Sequence, residues 1–105
     1  GQTIEIVLNN KDQMPHNLVV LQSGSLDTFG KVVDEFLKDS DAAKMDYVPN
    51  SRYVLGASSM LDPGASESII FKLPDTPGKY PFVCTFPGHW RLMQGVMMVE
   101  ARPPD

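Results

Sequence analysis

A segment of ten residues near the C-terminal end of the chain carries three side chains that bind soft metal ions. It runs from Cys84 to Met93 with the pattern C-x4-H-x3-M, which places a thiol, an imidazole and a thioether in one short stretch. Pro87 and Gly88 predict a turn that brings His89 back toward the sulfur. Strand-like sequence on both sides indicates a loop that is anchored to a rigid sheet.

A second imidazole is available far upstream, at His16. The chain contains one cysteine and two histidines in total. A cysteine thiolate, two imidazoles and a weak axial thioether form the ligand set of blue-copper centres. Sulfur suits Cu(I) and nitrogen suits Cu(II), so this mixed set tolerates both oxidation states. We therefore predict one copper ion bound by His16, Cys84, His89 and Met93.

Each predicted ligand also has an ordinary structural explanation. A single cysteine in an apolar stretch is usually a small buried hydrophobe, and a methionine usually fills space in a core. His16 alone is compatible with a buried histidine whose hydrogen bonds are satisfied. The metal site is favoured because the only cysteine and both histidines fall where one ligand set requires them.

The ligand segment resembles that of azurin-type cupredoxins, a group that also includes plastocyanin. Cys84-Thr-Phe-Pro-Gly-His89, followed by Leu92 and Met93, is similar to the azurin ligand loop, and His16-Asn17 matches the first-ligand pair. Residues 49–57 and 64–71 resemble the middle strands of the family. The resemblance covers nearly the whole chain. It implies an all-β Greek-key β-sandwich, one type 1 copper ion and one-electron transfer in a periplasmic or other extracytoplasmic compartment.

The resemblance also implies roles for residues around the copper. Both histidines would bind through Nδ1, and Met93 would tune the reduction potential. In azurins the carbonyl before the first histidine, here that of Pro15, approaches copper, whereas Pro-His-Asn is more similar to plastocyanin, which lacks that contact. Asn17 would hydrogen-bond near Thr85 and join the two ligand segments. Asn17 is alternatively a simple turn or strand-start residue.

Short apolar runs separated by Pro/Gly-rich turns independently predict a sandwich or barrel. We expect strands at residues 3–8, 17–22, 52–57, 67–73, 79–85 and 95–101. One segment has a helical period instead, with apolar residues on one stripe at Phe29, Val32, Val33, Phe36 and Leu37. It predicts a helical flap around residues 28–46, which cannot continue through Pro49.

Length, composition and charge describe one domain, residues 1–105, of which 42% are hydrophobic. A net charge of −4 argues against nucleic acid as a partner. No apolar run approaches the roughly twenty residues of a transmembrane helix. Azurin-like domains normally carry further strands and a disulfide before the strand that residues 3–8 resemble. We therefore expect a domain excised from a longer chain, whose upstream segment covers a sheet edge.

An apolar rim around His89 is predicted to dock the redox partner. Its members are Met14, Phe86, Pro87, Trp90 and Leu92. Redox encounters use small interfaces, so that the partner leaves quickly. Trp90 is the expected anchor, because tryptophan is enriched at binding hot spots. In the alternative, Trp90 folds back and shields the site.

Three classes of function are compatible with a copper site of this kind. We favour an electron carrier, which is not an enzyme and whose partner would be a c-type cytochrome or a fused dehydrogenase domain. A copper-enzyme domain needs additional histidines for a second copper centre, and this chain has two in all. A storage or purely structural copper domain would not require the complete ligand set.

Overall fold

Six strands in two antiparallel sheets form the framework of residues 2–101, the part of the chain that the computed structural model describes. The strands are β1 (Thr3–Asn9), β2 (Val19–Leu21), β3 (Val54–Ala57), β4 (Ser66–Lys72), β5 (Gly78–Val83) and β6 (Gln94–Val99). Strand β1 pairs with β4, and the other sheet has the order β3-β2-β5-β6. This architecture confirms the predicted all-β, cupredoxin-like sandwich. Residues 1 and 102–105 of the predicted domain lie outside the described residues.

The predicted helical flap is two separate elements. Helix α1 covers Leu26–Phe36, and a short 3₁₀ helix covers Ala42–Met45. The expected start at residue 28 was two residues late, and the regular helix ends nine residues before Met45. Asp46 and Tyr47 follow with left-handed φ values of 55° and 60°, which stop the second element before Pro49. Within residues 2–101, none of the helices has the length and apolar character needed to cross a membrane.

Strand β2 is covered on both of its faces. Val19 and Leu21 pack with Phe29 and Val33 of helix α1, whereas Val20 faces the opposite way and packs with β4 residues that include Phe71. All three residues of β2 are at most 1% exposed. A strand that is buried on both faces reads as a continuous apolar run, which explains Val-Val-Leu. The ends of β2 and of its neighbour β5 are therefore held rigidly inside the domain.

Candidate metal centre

The pairing of β2 with β5 brings the two predicted ligand segments together. Val19 lies opposite Val83 in antiparallel register. The residues that precede β2 therefore face those that follow β5, and Asn17 meets Thr85. Nδ2 of Asn17 donates a hydrogen bond of 2.8 Å to Oγ1 of Thr85, and the Thr85 N–H donates to Oδ1 of Asn17 at 2.8 Å. Both residues are buried, so this pair fixes the two ligand segments relative to each other.

Three donor atoms converge beside this pair. Sγ of Cys84 lies 3.6 Å from Nδ1 of His16 and 3.6 Å from Nδ1 of His89. All three atoms lie within 4.8 Å of one another. Cys84 is a free, buried cysteine, His16 is 9% exposed, and His89 is partly exposed. The structure thus brings the thiol and both imidazoles to one point, each ring presenting its δ nitrogen to the sulfur.

The spacing of these donor atoms fits a single metal ion. Typical bonds are about 2.0 Å to a histidine nitrogen and about 2.3 Å to a cysteine sulfur, as found for zinc. At bond angles of about 110° to 120°, one ion would hold the nitrogen and the sulfur roughly 3.5 to 3.7 Å apart. The observed sulfur–nitrogen distances are 3.6 Å. The donor atoms therefore already occupy positions that suit copper, and one thiolate with two imidazoles is a donor set that copper prefers.

Met93 lies in the same loop as two of the predicted ligands. The Cys84 N–H donates to the Met93 carbonyl at 3.1 Å, and the Met93 N–H donates to the His89 carbonyl at 2.7 Å. The Met93 side chain is 39% exposed and lines, together with Cys84 and His16, a cleft of about 430 Å³. The backbone of the loop therefore places Met93 in the same cleft as Cys84 and His16.

A tight turn gives the loop its shape. The His89 N–H donates to the Phe86 carbonyl at 2.9 Å, across Pro87 and Gly88. Gly88 has a φ of +85°, the left-handed value that a type II turn requires at its third position. Proline is favoured at the second position of that turn. The Pro-Gly pair therefore accounts for the return of the imidazole to the sulfur.

The pKa of His89 is lowered from its ordinary value, chiefly because burial disfavours the charged ring and secondly because His16 is close. The two imidazole centroids are 5.3 Å apart. A lowered pKa favours the neutral imidazole, which is the form that binds metal ions. The environment of His89 therefore suits a ligand.

The apolar rim predicted around His89 is only partly at the surface. Leu92 is 86% exposed, Met14 is 45% exposed, and Pro87 is exposed as well. Phe86 is half-buried, with its ring centroid 4.9 Å from that of His89. Pro15 is half-buried. The next residue, His16, forms an antiparallel backbone bridge with Leu61.

Trp90 is turned toward helix α1. Its indole is half-buried against the core cluster under helix α1 and lies directly over Gly30, where a methyl group would overlap the ring. Its Nε1 donates to Oδ1 of Asp34 at 2.9 Å. The physical reason is that Gly30 leaves room for the indole and Asp34 satisfies its N–H. This packing anchors the metal-binding loop to the helix.

Asp12 is a site residue that sequence analysis missed. Its Oδ2 lies 2.7 Å from Nε2 of His16, the ring nitrogen that faces away from Cys84. The hydrogen bond from His16 is the main cause that holds the pKa of Asp12 below its ordinary value. The available signal was an acidic residue four positions before a predicted histidine ligand, since such histidines commonly donate their other N–H to a carboxylate.

Comparisons with known proteins agree with this site. Residues 1–100 match the protein family described as "Copper binding proteins, plastocyanin/azurin family". The chain is 32% identical over 102 residues to Auracyanin-A of Chloroflexus aurantiacus, an alignment that covers 95% of this chain and 60% of that protein. These matches confirm the resemblance to cupredoxins that the sequence indicated.

Two solved structures have the same fold. A reduced auracyanin from Roseiflexus castenholzii is similar with a TM-score of 0.80 and 39% identity, covering 95% of this chain and 78% of that one. Auracyanin A of Chloroflexus aurantiacus, described as a "blue" copper protein, gives a TM-score of 0.79 and 27% identity, covering 95% and 80%. The chain spans 40% to 60% of the length of the curated auracyanins that it matches.

Proposed function

The chain belongs to the plastocyanin/azurin family of copper-binding proteins, and we propose that it is a one-electron carrier built on a type 1 copper centre. The observation that carries this proposal is the convergence of the Cys84 sulfur and two δ nitrogens at 3.6 Å. Copper at this position would supply a Cu(I)/Cu(II) couple, which accepts one electron from a reduced partner and passes it to an oxidised one.

We assign the ligand roles as follows. Cys84 binds as the thiolate, the form of cysteine that binds metals. His16 and His89 bind through Nδ1, and Met93 is the axial ligand that tunes the reduction potential. The Pro15 carbonyl faces the copper position from the side opposite Met93, as a distant contact.

The protein around these ligands keeps them in place when the charge of the centre changes. Asn17 and Thr85 are joined by two hydrogen bonds of 2.8 Å. Asn17 also donates to the Asp46 carbonyl at 3.1 Å, which adds the segment after the 3₁₀ helix to the same network. A ligand set held this firmly moves little between oxidation states, and small movement favours fast electron transfer.

The electron would pass through the exposed edge of His89. The ring of Phe86 packs beside that of His89, with the two centroids 4.9 Å apart. We propose that the exposed apolar residues Met14, Pro87 and Leu92 complete the docking surface. Trp90 is half-buried, and we include in this surface the part of its side chain that stays exposed. An apolar surface suits a small, short-lived redox interface. The partner we propose is a redox protein, either a c-type cytochrome or a dehydrogenase domain of the same polypeptide, in a periplasmic or other extracytoplasmic compartment.

The set of side chains that could bind a metal ion favours a carrier over a copper enzyme. Within residues 2–101, His16, Cys84 and His89 form the one cluster of three or more histidine, cysteine or acidic side chains with metal-binding spacing. A second copper centre would need additional ligands from outside this cluster. We further propose that the domain belongs to a longer chain whose upstream segment covers a sheet edge and completes the sandwich. A version of the protein that is extended upstream should have a higher melting temperature; no gain would count against this arrangement.

The proposed function is tested by adding Cu(II) to the metal-free protein and recording absorption and EPR spectra. An intense visible thiolate-to-copper band with narrow copper hyperfine splitting is the expected result. Cys84→Ser should abolish the band. Zn²⁺ should also bind, because affinity alone discriminates poorly between these metals, and its complex should be colourless, because Zn²⁺ is a d¹⁰ ion without redox chemistry. A colourless copper complex, or colour that persists in Cys84→Ser, would rule out the proposed centre.

A further inference from the structure

The remote nitrogen of one ligand histidine meets a carboxylate. Nδ1 of His16 faces the Cys84 sulfur at 3.6 Å, and Nε2 of the same ring lies 2.7 Å from Oδ2 of Asp12. With Nδ1 turned to the metal site, Nε2 carries the ring proton and donates it to the carboxylate. The imidazole is thus held between a sulfur and an anion.

Asp12 is itself held in position by the loop that carries it. Its Oδ1 accepts a hydrogen bond of 2.7 Å from the Gln13 N–H, and its own N–H donates to Oδ1 of Asn10 at 3.0 Å. Asn10 is 4% exposed, and its Nδ2 donates to the carbonyls of Met14 and Leu61 at 2.9 Å each. A buried side chain therefore organises the whole turn, and the contact with His16 is part of a built network.

We propose that Asp12 is a positioning residue of the copper centre, which fixes the tautomer and orientation of His16 and biases the centre toward Cu(II). This inference rests on the proposed function, because it concerns the tuning of the same site. The carboxylate acts through His16 and does not touch the metal position.

The two effects have separate physical causes. The hydrogen bond to Oδ2 selects the tautomer whose Nδ1 lone pair is free for the metal. The negative charge of the carboxylate stabilises the state of higher positive charge, which is Cu(II), and makes the imidazole a stronger donor. The Asp12 side chain is 58% exposed, so solvent and salt screen part of this charge.

Three variants separate the hydrogen bond from the charge. Asp12→Asn keeps an oxygen acceptor and removes the charge, Asp12→Ala removes both, and Asp12→Glu restores the charge. Glu5→Gln on β1 is the control, because it removes one negative charge from an exposed strand position away from the loop. The midpoint potential of each copper-loaded protein is measured at low and high salt, and the tautomer of His16 in each metal-free protein is measured by ¹⁵N NMR.

We expect Asp12→Asn to raise the reduction potential relative to both the original protein and Glu5→Gln. The expected change in the Cu(I)/Cu(II) preference is about three- to tenfold, and tenfold corresponds to about 59 mV for one electron. The shift should shrink at high salt, and Asp12→Glu should recover part of it. In the metal-free protein, Nε2–H should remain dominant in Asp12→Asn and should give way to a mixture of tautomers in Asp12→Ala.

A potential of Asp12→Asn equal to that of Glu5→Gln would overturn the charge effect. An unchanged Nε2–H tautomer in Asp12→Ala would overturn the positioning effect. Failure of the proposed function is distinguishable, because it would leave the unmodified protein colourless with copper. The tautomer measurement needs no metal and would still report on Asp12 in that case.

Discussion

The indole nitrogen of Trp90 donates a hydrogen bond of 2.9 Å to Oδ1 of Asp34, and this contact joins the metal-binding loop to helix α1. Arg91 donates to both oxygens of the same carboxylate, at 3.2 Å and 2.5 Å. The Arg91 guanidinium also lies over the Trp90 ring, 4.5 Å from its centroid. One acidic residue of the helix therefore receives hydrogen bonds from two neighbouring residues of the metal-binding loop, in addition to the packing of Trp90 over Gly30.

Trp90→Ala should destabilise the fold, because the indole packs on the buried cluster under helix α1. We expect the free energy of unfolding of the metal-free protein to fall by about 2 to 4 kcal/mol, somewhat less than the roughly 3 to 5 kcal/mol lost when a fully buried tryptophan is replaced, because Trp90 is only half-buried. Denaturant unfolding measures this change. Leu92→Ala is the matched control in the same loop, and its effect should stay within about 0.5 kcal/mol because Leu92 is 86% exposed. Equal effects of the two variants would contradict this assignment.

The hydrogen bonds that Asp34 accepts from Arg91 and Trp90 should make the stability of the folded protein depend on pH. Hydrogen bonds from Arg91 and then Trp90 lower the pKa of Asp34 from its ordinary value of 3.8. The folded protein therefore holds the ionised form more strongly than the unfolded chain. This contribution is complete above the unfolded-state pKa and is lost as the pH falls through the lowered folded-state value.

Melting temperatures of Asp34→Asn and of the unmodified metal-free protein should thus differ most near neutral pH and converge in acid. Glu5→Gln provides the control for loss of one charge elsewhere. A difference between Asp34→Asn and the unmodified protein that stays constant from about pH 7 to about pH 2 would exclude this ionic contribution.

Gly88→Ala should cost stability and also perturb the metal centre. Gly88 and Gly24 have φ values of +85° and +74°, and an added methyl group would meet no atom within 4 Å at either position. Backbone strain is then the shared effect, of about 1 to 2 kcal/mol for each variant. Only Gly88 lies in the turn that returns His89 to the sulfur, so only Gly88→Ala should alter the visible copper spectrum. A spectral change in Gly24→Ala as well would mean that the turn is not the cause.

Met93→Leu should keep the visible thiolate band and raise the reduction potential. The leucine side chain has a similar volume and removes the sulfur, so the centre loses a weak electron donor and Cu(I) becomes relatively more stable. Spectroelectrochemistry measures the potential, and Met98→Leu is the control, because Met98 is an exposed methionine on β6. If Met93→Leu and Met98→Leu give the same potential, Met93 is not the axial ligand.

Much of the metal-binding loop could be predicted because its geometry is local. The Pro87-Gly88 pair specifies the turn, and the spacing from Cys84 to Met93 is short enough to surround one ion. The strands were also recognisable, with ends misplaced by up to two residues. The most important of these differences is at the end of β5, which was predicted at Thr85 and lies at Val83. Cys84 and Thr85 are outside the strand because the chain leaves the sheet there to reach the ligand cluster.

Contacts between distant segments could not be predicted from sequence patterns. The position of Asp12 depends on a turn that is organised by buried Asn10, whose partners include Leu61, a residue 51 positions away. The inward turn of Trp90 depends on the missing side chain of Gly30, which is visible only once the helix packs against the loop. In both cases the tertiary fold brings the important residue, Leu61 or Gly30, close to the site, and no repeating pattern in the sequence indicates this contact.

The alignment of Val19 with Val83 has a consequence for assembly of the protein. Shifting one strand by a single residue would turn every side chain of that strand to the opposite face and separate Cys84 from His16. A chain paired in that way cannot bring His16 to the other ligands, so copper held by the complete ligand set stabilises the correctly paired molecules relative to the mispaired ones. Metal binding would then favour the native strand register over registers that are shifted by one residue.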